Sequence, residues 1–363
     1  MTFIIDSHQD IAYNALTFNR DVRLSAREIR KREKDTQIPV WNGGEALVGW
    51  PEYQAGQIAV IFATLFLTPW QYRGGDWETQ VYQTSRQAYP LYHKQIDFYH
   101  RLTEENPDLF QLIRSRKDLT QILSHYQEMD RQMDRPVGIV LLMEGAEGIN
   151  TPDDLEEYYD LGLRQVGPVW AGNRFCGGTK EDRPFDKEAM ALLDVMASLG
   201  MVLDISHMRE KAALTALDIY RGPVMASHAN VRRLLRDSGG ERHFTDQVIR
   251  KLFERGGTVG VVPFNKFLSP DWTLTSPRES VTINELVSQI DYYCQMAGNS
   301  SHVGLGSDFD GGFGYPQIPL EMDTIADLQK LAPILRQKGY EQVDIDRIFG
   351  LNWKKHLETI LPE

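Results

Sequence analysis

Three histidines and two carboxylates stand at the downstream ends of apolar runs: His8 and Asp10 after FIID, Glu144 after VGIVLLM, His207 after MVLDIS, and His228 after PVMAS. Imidazole nitrogens and carboxylate oxygens are ligands for zinc and other divalent ions of similar hardness. In a strand, residues i and i+2 share a side, so His8 and Asp10 can serve one ion. A glutamate can bridge two. The economical arrangement gives His8 and Asp10 to one ion, His207 and His228 to a second, and places Glu144 between them. Two such ions, roughly 3.5–4 Å apart, can share a hydroxide that attacks a carbonyl while the metals stabilise the oxyanion. Each element alone has a plainer reading: a polar turn for the HxD pair, a core histidine for His207 or His228, a salt bridge for Glu144. Their recurrence at strand ends favours the metal centre.

Two further residues extend the chemistry. Asp308, in GLGSDFDGG, could take a proton from the attacking water and pass it to the leaving amine, whereas Asp310, followed by two glycines, reads as a turn residue. Arg242 could hold a substrate carboxylate through two parallel hydrogen bonds. The plainer readings are a turn carboxylate and one surface arginine among many. The histidines at 93, 100, 125 and 356 lie in helix-like polar segments and read as surface residues.

Short apolar runs at 3–7, 58–66, 137–143, 164–170, 201–206, 223–227, 257–264 and 302–307 predict eight strands. Amphipathic stretches at 78–101, 117–133, 153–161, 186–199, 209–220, 245–255 and 282–297 lie between them as helices. Alternation of this kind makes a parallel sheet, either a (β/α)₈ barrel or an open doubly wound sheet. The barrel is the expected fold because it alone gathers the ends of strands one, three, five and six into one site. Residues 1–363 read as a single domain without linker or repeat. The segment 67–136 is too long for a minimal crossover and should add helices beside the barrel. Within it PWQYRGGDW, residues 69–77, reads as part of a lid or an oligomer contact, and the Gly/Pro stretches at 42–51, 172–184, 265–277 and 311–319 as site loops or turns.

Composition narrows the partners. The chain has 363 residues, 42% of them hydrophobic, and 51 acidic against 39 basic residues give a formal charge of −12, which disfavours nucleic acid and anionic lipid. Two cysteines, Cys176 and Cys294, make no disulfide framework or CxxC zinc motif. The opening MTFIIDSHQD has no basic n-region or cleavable apolar core, and no run of roughly 18 charge-free residues follows. A cytoplasmic enzyme without a membrane span is expected, with a homodimer as the default oligomer.

In order and context these motifs resemble those of the membrane (renal) dipeptidase family of dizinc metallopeptidases. The family's D-G-H-N-D reads here as Asp6-Ser7-His8-Gln9-Asp10, its E-G-G as Glu144-Gly145-Ala146, and its later zinc histidines as His207 and His228. Its D-F-D-G is Asp308-Phe309-Asp310-Gly311, and its R-N-x-[TP]-D is similar to Arg242-His243-Phe244-Thr245-Asp246. The resemblance spans nearly the whole chain. It implies a (β/α)₈ barrel, two zinc ions bridged by Glu144, a carboxylate held by Arg242, and cleavage of dipeptides, often with a D-residue at the carboxyl terminus.

Three positions depart from the pattern. The family's L-T-H-x-x-N, whose histidine contacts the tetrahedral intermediate, reads Pro168-Val169-Trp170-Ala171-Gly172-Asn173, leaving Trp170 and Asn173 as the substrate-binding candidates of this segment. An indole donates one hydrogen bond but carries no positive charge to an oxyanion. The stretch from His228 to Arg242 is a few residues longer than in the family, which leaves Arg232, Arg233 and Arg236 as alternatives for the carboxylate. Ser7 and Gln9 replace Gly and Asn, changes compatible with coordination. The alternatives to a dipeptidase are a dimetal hydrolase of another small amide, lactam or ester, reshaped by Trp170, and a silent barrel that binds a ligand.

Overall fold

A computed structural model describes residues 3–127, 135–236 and 240–363. All eight apolar runs form strands: β1 (Ile4–Gln9), β2 (Ile58–Phe66), β3 (Val137–Glu144), β4 (Leu163–Gly167), β5 (Val202–Asp204), β6 (Val224–Ala226), β7 (Thr258–Val261) and β8 (Val303–Leu305). Each pairs in parallel with the next, and β8 returns to β1 where Leu305 faces Asp6, closing a (β/α)₈ barrel. Strands β4 and β7 end before their apolar runs do, at Pro168 and Pro263, which have no N–H for the ladder.

The seven amphipathic stretches carry helices, among them Ser85–Glu105, Lys187–Ser198, Glu210–Ile219 and Ile283–Ala297. Of the stretch 117–133, the part to Gln127 is helical and the rest lies outside the described residues. The long segment after β2 holds two helices, Ser85–Glu105 and Arg116–Gln127, with a short strand, Phe110–Leu112, that pairs with the start of β3 outside the ring. Residues 69–77 form a turn at the barrel mouth, where Trp77 stacks on Phe18 and Trp41. Among the described residues no helix is long and apolar enough to cross a membrane.

Alternation along the strands separates two apolar layers. Val60 and Phe62 of β2 and Val140 and Leu142 of β3 join Ile5, Val202 and Met225 in one cluster, while Ile61, Ala63, Leu65, Ile139, Leu141 and Met143 belong to the layer under the helices. The C-terminal helix Asn352–Ile360 closes the floor, with Trp353 and Leu357 in the first cluster. The Trp353 indole donates to Leu305 O at 3.1 Å and lies over Gly304, where a Cβ would come within 2.1 Å of its nitrogen. On this helix His356 meets Gln165 Oε1 at 3.3 Å and packs beside Phe62 and Trp353. It is therefore a floor residue, not the surface residue its polar segment suggested. His125 is exposed, and His93 and His100 are half-buried.

One irregularity in β1 matters to the site. From Asp6 to Gln9 the strand advances three residues while its partner advances two, Ile61 to Ala63, which is a one-residue bulge. Ser7 and His8 consequently both turn into the barrel. Ser7 Oγ donates to Ser227 O and Leu305 O at 2.6 and 2.9 Å, and His8 Nδ1 lies 3.2 Å from Ser227 Oγ. Gln9 faces the other way and donates to Asp6 at 2.6 Å. The side chains that replace the family's Gly and Asn are thus engaged in the barrel wall.

Candidate metal centre and active site

The five residues singled out by spacing converge on one buried site at the carboxyl ends of the strands. Glu144 stands between two groups: its Oε2 is 3.2 Å from His8 Nε2, and its Oε1 is 2.8 Å from His207 Nε2 and 3.7 Å from His228 Nε2. Asp10 is 3.9 Å from His8 Nε2. Two sets of donor atoms lie within 4.8 Å of one another, His8/Asp10/Glu144 and Glu144/His207/His228, and they share the glutamate. A third set, His8/His228/Asp308, brings in the carboxylate that sequence assigned to proton transfer.

Backbone geometry aims several of these groups. His207 and Asp308 both adopt left-handed φ, 66° and 55°, immediately beyond their strands, an uncommon state for non-glycine residues that turns each side chain over the mouth. Gly311 must lack a Cβ, which would sit 2.0 Å from Asp308 Oδ1 and 2.9 Å from Asp10 Oδ2. Asp310 is a turn residue, as its glycines suggested: Leu47 N donates to its Oδ1 at 2.9 Å, and Arg20 lies 3.6 Å away.

Polar neighbours that the sequence reading missed orient the candidate ligands. Ser227 Oγ lies 3.2 Å from His8 Nδ1 and 2.8 Å from His228 Nδ1, and 3.3 Å from Ser206 Oγ. One hydroxyl can accept from both rings and donate to Ser206, which leaves both Nε2 lone pairs directed at the cavity. Thr179 Oγ1 meets His207 Nδ1 at 2.8 Å, and Thr64 Oγ1 donates to Asp10. Asp204 Oδ1 accepts from Ser206 N and Ser227 N at 2.9 Å each, tying the two strand ends together. The available signals were the Ser before each histidine, in DISH and MASH, and a lone Thr within the apolar run IAVIFATLF.

The electrostatics suit a cation. Burial alone would raise the Glu144 carboxyl, but the adjacent His8 and His207 imidazoles bring it well below its ordinary value. Burial would likewise keep His8 neutral, yet Glu144, Asp10 and Asp308 push its pKa up to about 10. His207 is lowered to about 4 by burial and by Arg242, and His228 is held well below its ordinary value by burial, His8 and Arg242. Burial and the charge of Glu144 push Asp10 up to about 6, and burial pushes Asp308 well above the carboxylate range. Carboxylates that draw a proton onto His8, facing two imidazoles held neutral with converging lone pairs, are a donor set that fits divalent metal.

Around this centre, Arg242 is buried, donates through Nη2 to His228 O at 2.9 Å, and has no hydrogen-bond partner at Nη1 among the described residues. Arg233 and Arg236 point outward, 74% and 76% exposed, toward Asp246 and Asp271, and Arg232 faces Glu210. The longer loop is pinned at its base, where Phe244 N donates to Asn230 O and Arg232 N to Phe244 O, both at 2.9 Å. Those two bonds bring the segment that carries Arg242 back beside the end of β6. Residues 237–239 of the loop lie outside the described residues. Trp170 is half-buried with its ring 6.2 Å from that of His207. Asn173, expected at the substrate, is engaged by its own loop: it donates to Pro168 O at 2.7 Å and accepts from Phe175 N at 2.9 Å. It anchors the turn that presents Trp170.

A closed (β/α)₈ barrel with a buried His/carboxylate set at its mouth defines a metal-dependent hydrolase. The model of the membrane dipeptidase family, peptidase family M19, matches residues 1–360, and the chain belongs to that family. It is 33% identical over 237 residues to an uncharacterized protein in the pqqA 5′ region of Klebsiella pneumoniae, covering 62% of this chain and 83% of that one. An uncharacterized dipeptidase of Schizosaccharomyces pombe is 24% identical over 368 residues, or 97% of this chain and 80% of the relative. In fold the chain is similar to a metallopeptidase of Rhodobacter sphaeroides crystallised with a phosphinate mimic of L-Ala-D-Ala. The TM-score is 0.77 at 22% identity, with 99% of this chain and 100% of that one covered.

Proposed function

We propose that this chain, as one hydrolase unit over residues 1–363, cleaves dipeptides at a centre for two zinc ions, including dipeptides that end in a D-residue. The observation that carries the reading is the sharing of Glu144 between two donor sets, His8/Asp10 on one side and His207/His228 on the other. Divalent ions bound there would lower the pKa of water and polarise the scissile carbonyl. The remaining steps belong to the protein. Arg242 offers a free guanidinium edge to the substrate carboxylate. Asp308, beside His8 and His228 at the centre, takes the proton of the attacking water and returns it to the leaving amine. The dipeptide mimic held by the Rhodobacter sphaeroides metallopeptidase supports the substrate class.

Trp170 favours a second reading within the same chemistry, a different small amide, lactam or ester, because an indole stands where the family keeps a histidine. Metal analysis joined to a screen of L,L- and L,D-dipeptides on one zinc-reconstituted sample decides between them. About two ions per chain with dipeptide turnover is the expected result, and Asp308→Asn should retain fold and metal while kcat falls roughly 10²–10⁴-fold. Metal-replete protein inert toward the whole panel would remove the dipeptidase assignment.

A further inference from the structure

We propose that an aromatic wall at the barrel mouth selects dipeptides with an apolar, preferably aromatic, N-terminal side chain, and that Trp170 is the specificity-determining residue. The inference rests on the reading of the site as a dipeptidase with the substrate carboxylate at Arg242.

Arg242 follows β6, and in a ring of eight strands the position opposite β6 is β2. A dipeptide with its carboxylate at Arg242 and its scissile bond over the Glu144 centre therefore extends its N-terminal residue toward the ends of β2, β3 and β4. Aromatic rings occupy that side. Phe66 ends β2 directly beside Glu144 in the ladder, Tyr72 lies in the segment after β2, and Trp170 follows β4. Trp170 meets Phe66 edge-on at 5.3 Å and Tyr72 at 6.3 Å.

The wall is fixed from behind. Phe66 packs with buried Tyr13 and Phe18, and Trp77 stacks on Phe18 at 5.4 Å. The Tyr72 hydroxyl donates to Glu181 at 2.9 Å, and Thr179 N donates to Trp170 O at 2.9 Å. Thr179 also holds His207 through its hydroxyl, so one residue sets both the wall and a candidate ligand. Phe66 is nearly buried whereas Trp170 is half-buried beside the ligand rings, so the indole serves as lining rather than as core.

A ring held rigidly in this way adds contact area at little entropic cost and favours an edge or offset face of a second ring. It offers no compensation to a charged side chain that loses its water. A pocket difference larger than one methylene is ordinarily read as at least about ten-fold in kcat/KM.

The test uses the zinc-reconstituted full chain and three substrates that differ only at the N-terminal residue: Phe-D-Ala, Ala-D-Ala and Asp-D-Ala. The ratio of kcat/KM for Phe over Ala is expected to be about ten or more, with Asp the poorest. In Trp170→Ala the Phe/Ala ratio should fall to within about three of unity, and in Trp170→Phe most of it should remain. A ratio cancels losses of active enzyme common to all substrates, and the same ratio can be read from equilibrium binding of matched phosphinate mimics. Turnover without selectivity, or selectivity unmoved by Trp170→Ala, overturns the inference alone. Absence of turnover on every substrate, with no binding of the mimics, overturns the dipeptidase reading and the inference together.

Discussion

The same strands end in two different environments, and two histidines, one buried and one half-buried, register the contrast. At the mouth, His8 is pushed up to about 10 because Glu144, Asp10 and Asp308 surround it and outweigh burial. Beneath the floor, His356 is lowered to about 4 by burial alone, between Gln165, Phe62 and Trp353. The floor is tied together by internal hydrogen bonds: Asn352 donates to Ser300 O and Val303 O at 2.7 and 2.8 Å, and Trp353 donates to Leu305 O. At the mouth the buried Arg242 Nη1 has no hydrogen-bond partner among the described residues, and His8 Nε2 faces the Glu144 carboxylate at 3.2 Å. The difference separates stability from chemistry along one set of strands.

If that separation holds, the largest effect belongs to Glu144→Gln. Loss of the shared carboxylate should lower kcat/KM by roughly 10³-fold or more and reduce bound metal, while the fold survives in circular dichroism. Trp353→Ala is the converse change: urea denaturation should show a loss of about 3–5 kcal/mol, while metal content of the folded fraction stays unchanged. A fall in metal stoichiometry in that variant would show the two ends to be coupled. Ser227→Ala tests the outer layer of the mouth. Release of both imidazoles from one hydroxyl should weaken metal affinity by about 10–100-fold, measured by competition with a chelating dye, with little change in melting temperature of the metal-free protein.

The smallest effect is a pH slope. His356 titrates at about 4 in the fold, against 6.5 for the unperturbed side chain, so between these values the unfolded chain binds a proton that the fold does not. Stability is lost as pH falls through that window, by up to about 1.4 kcal/mol per pH unit for this group. Urea midpoints of His356→Gln and wild type, compared from pH 7 to pH 4.5, should therefore move in the variant's favour with acid. Parallel curves would place His356 in contact with solvent.

Strand positions and the candidate ligands were legible because both are local. A period-two apolar run and the polar residues that end it are visible in one stretch of chain, and five residues from four such ends, His8 to His228, come together in shared donor sets. What could not be read was tertiary. Ser227 acquires its role only when β1 and β6 bring His8 and His228 to either side of it. Asn173 reads in sequence as a substrate-binding candidate, and only the fold shows its amide bonded to Pro168 O and Phe175 N. His356 sat in a polar helix, and nothing nearby in sequence indicated that the helix would cap the barrel. The extra residues before Arg242 left four arginines as candidates, and only the folded loop shows that Arg242 is buried while Arg233 and Arg236 face outward.

The bulge in β1 places the first ligand by residue count as much as by residue type. Ser7 and His8 face inward together only because the strand carries one residue more than its neighbour between Asp6 and Gln9. Grafting His-Gln-Asp onto a regular strand would carry over the ligand atoms without the phase that directs them. Deleting one residue here would redirect His8 with no ligand mutated, and a comparison scored on residue identity alone would miss the loss.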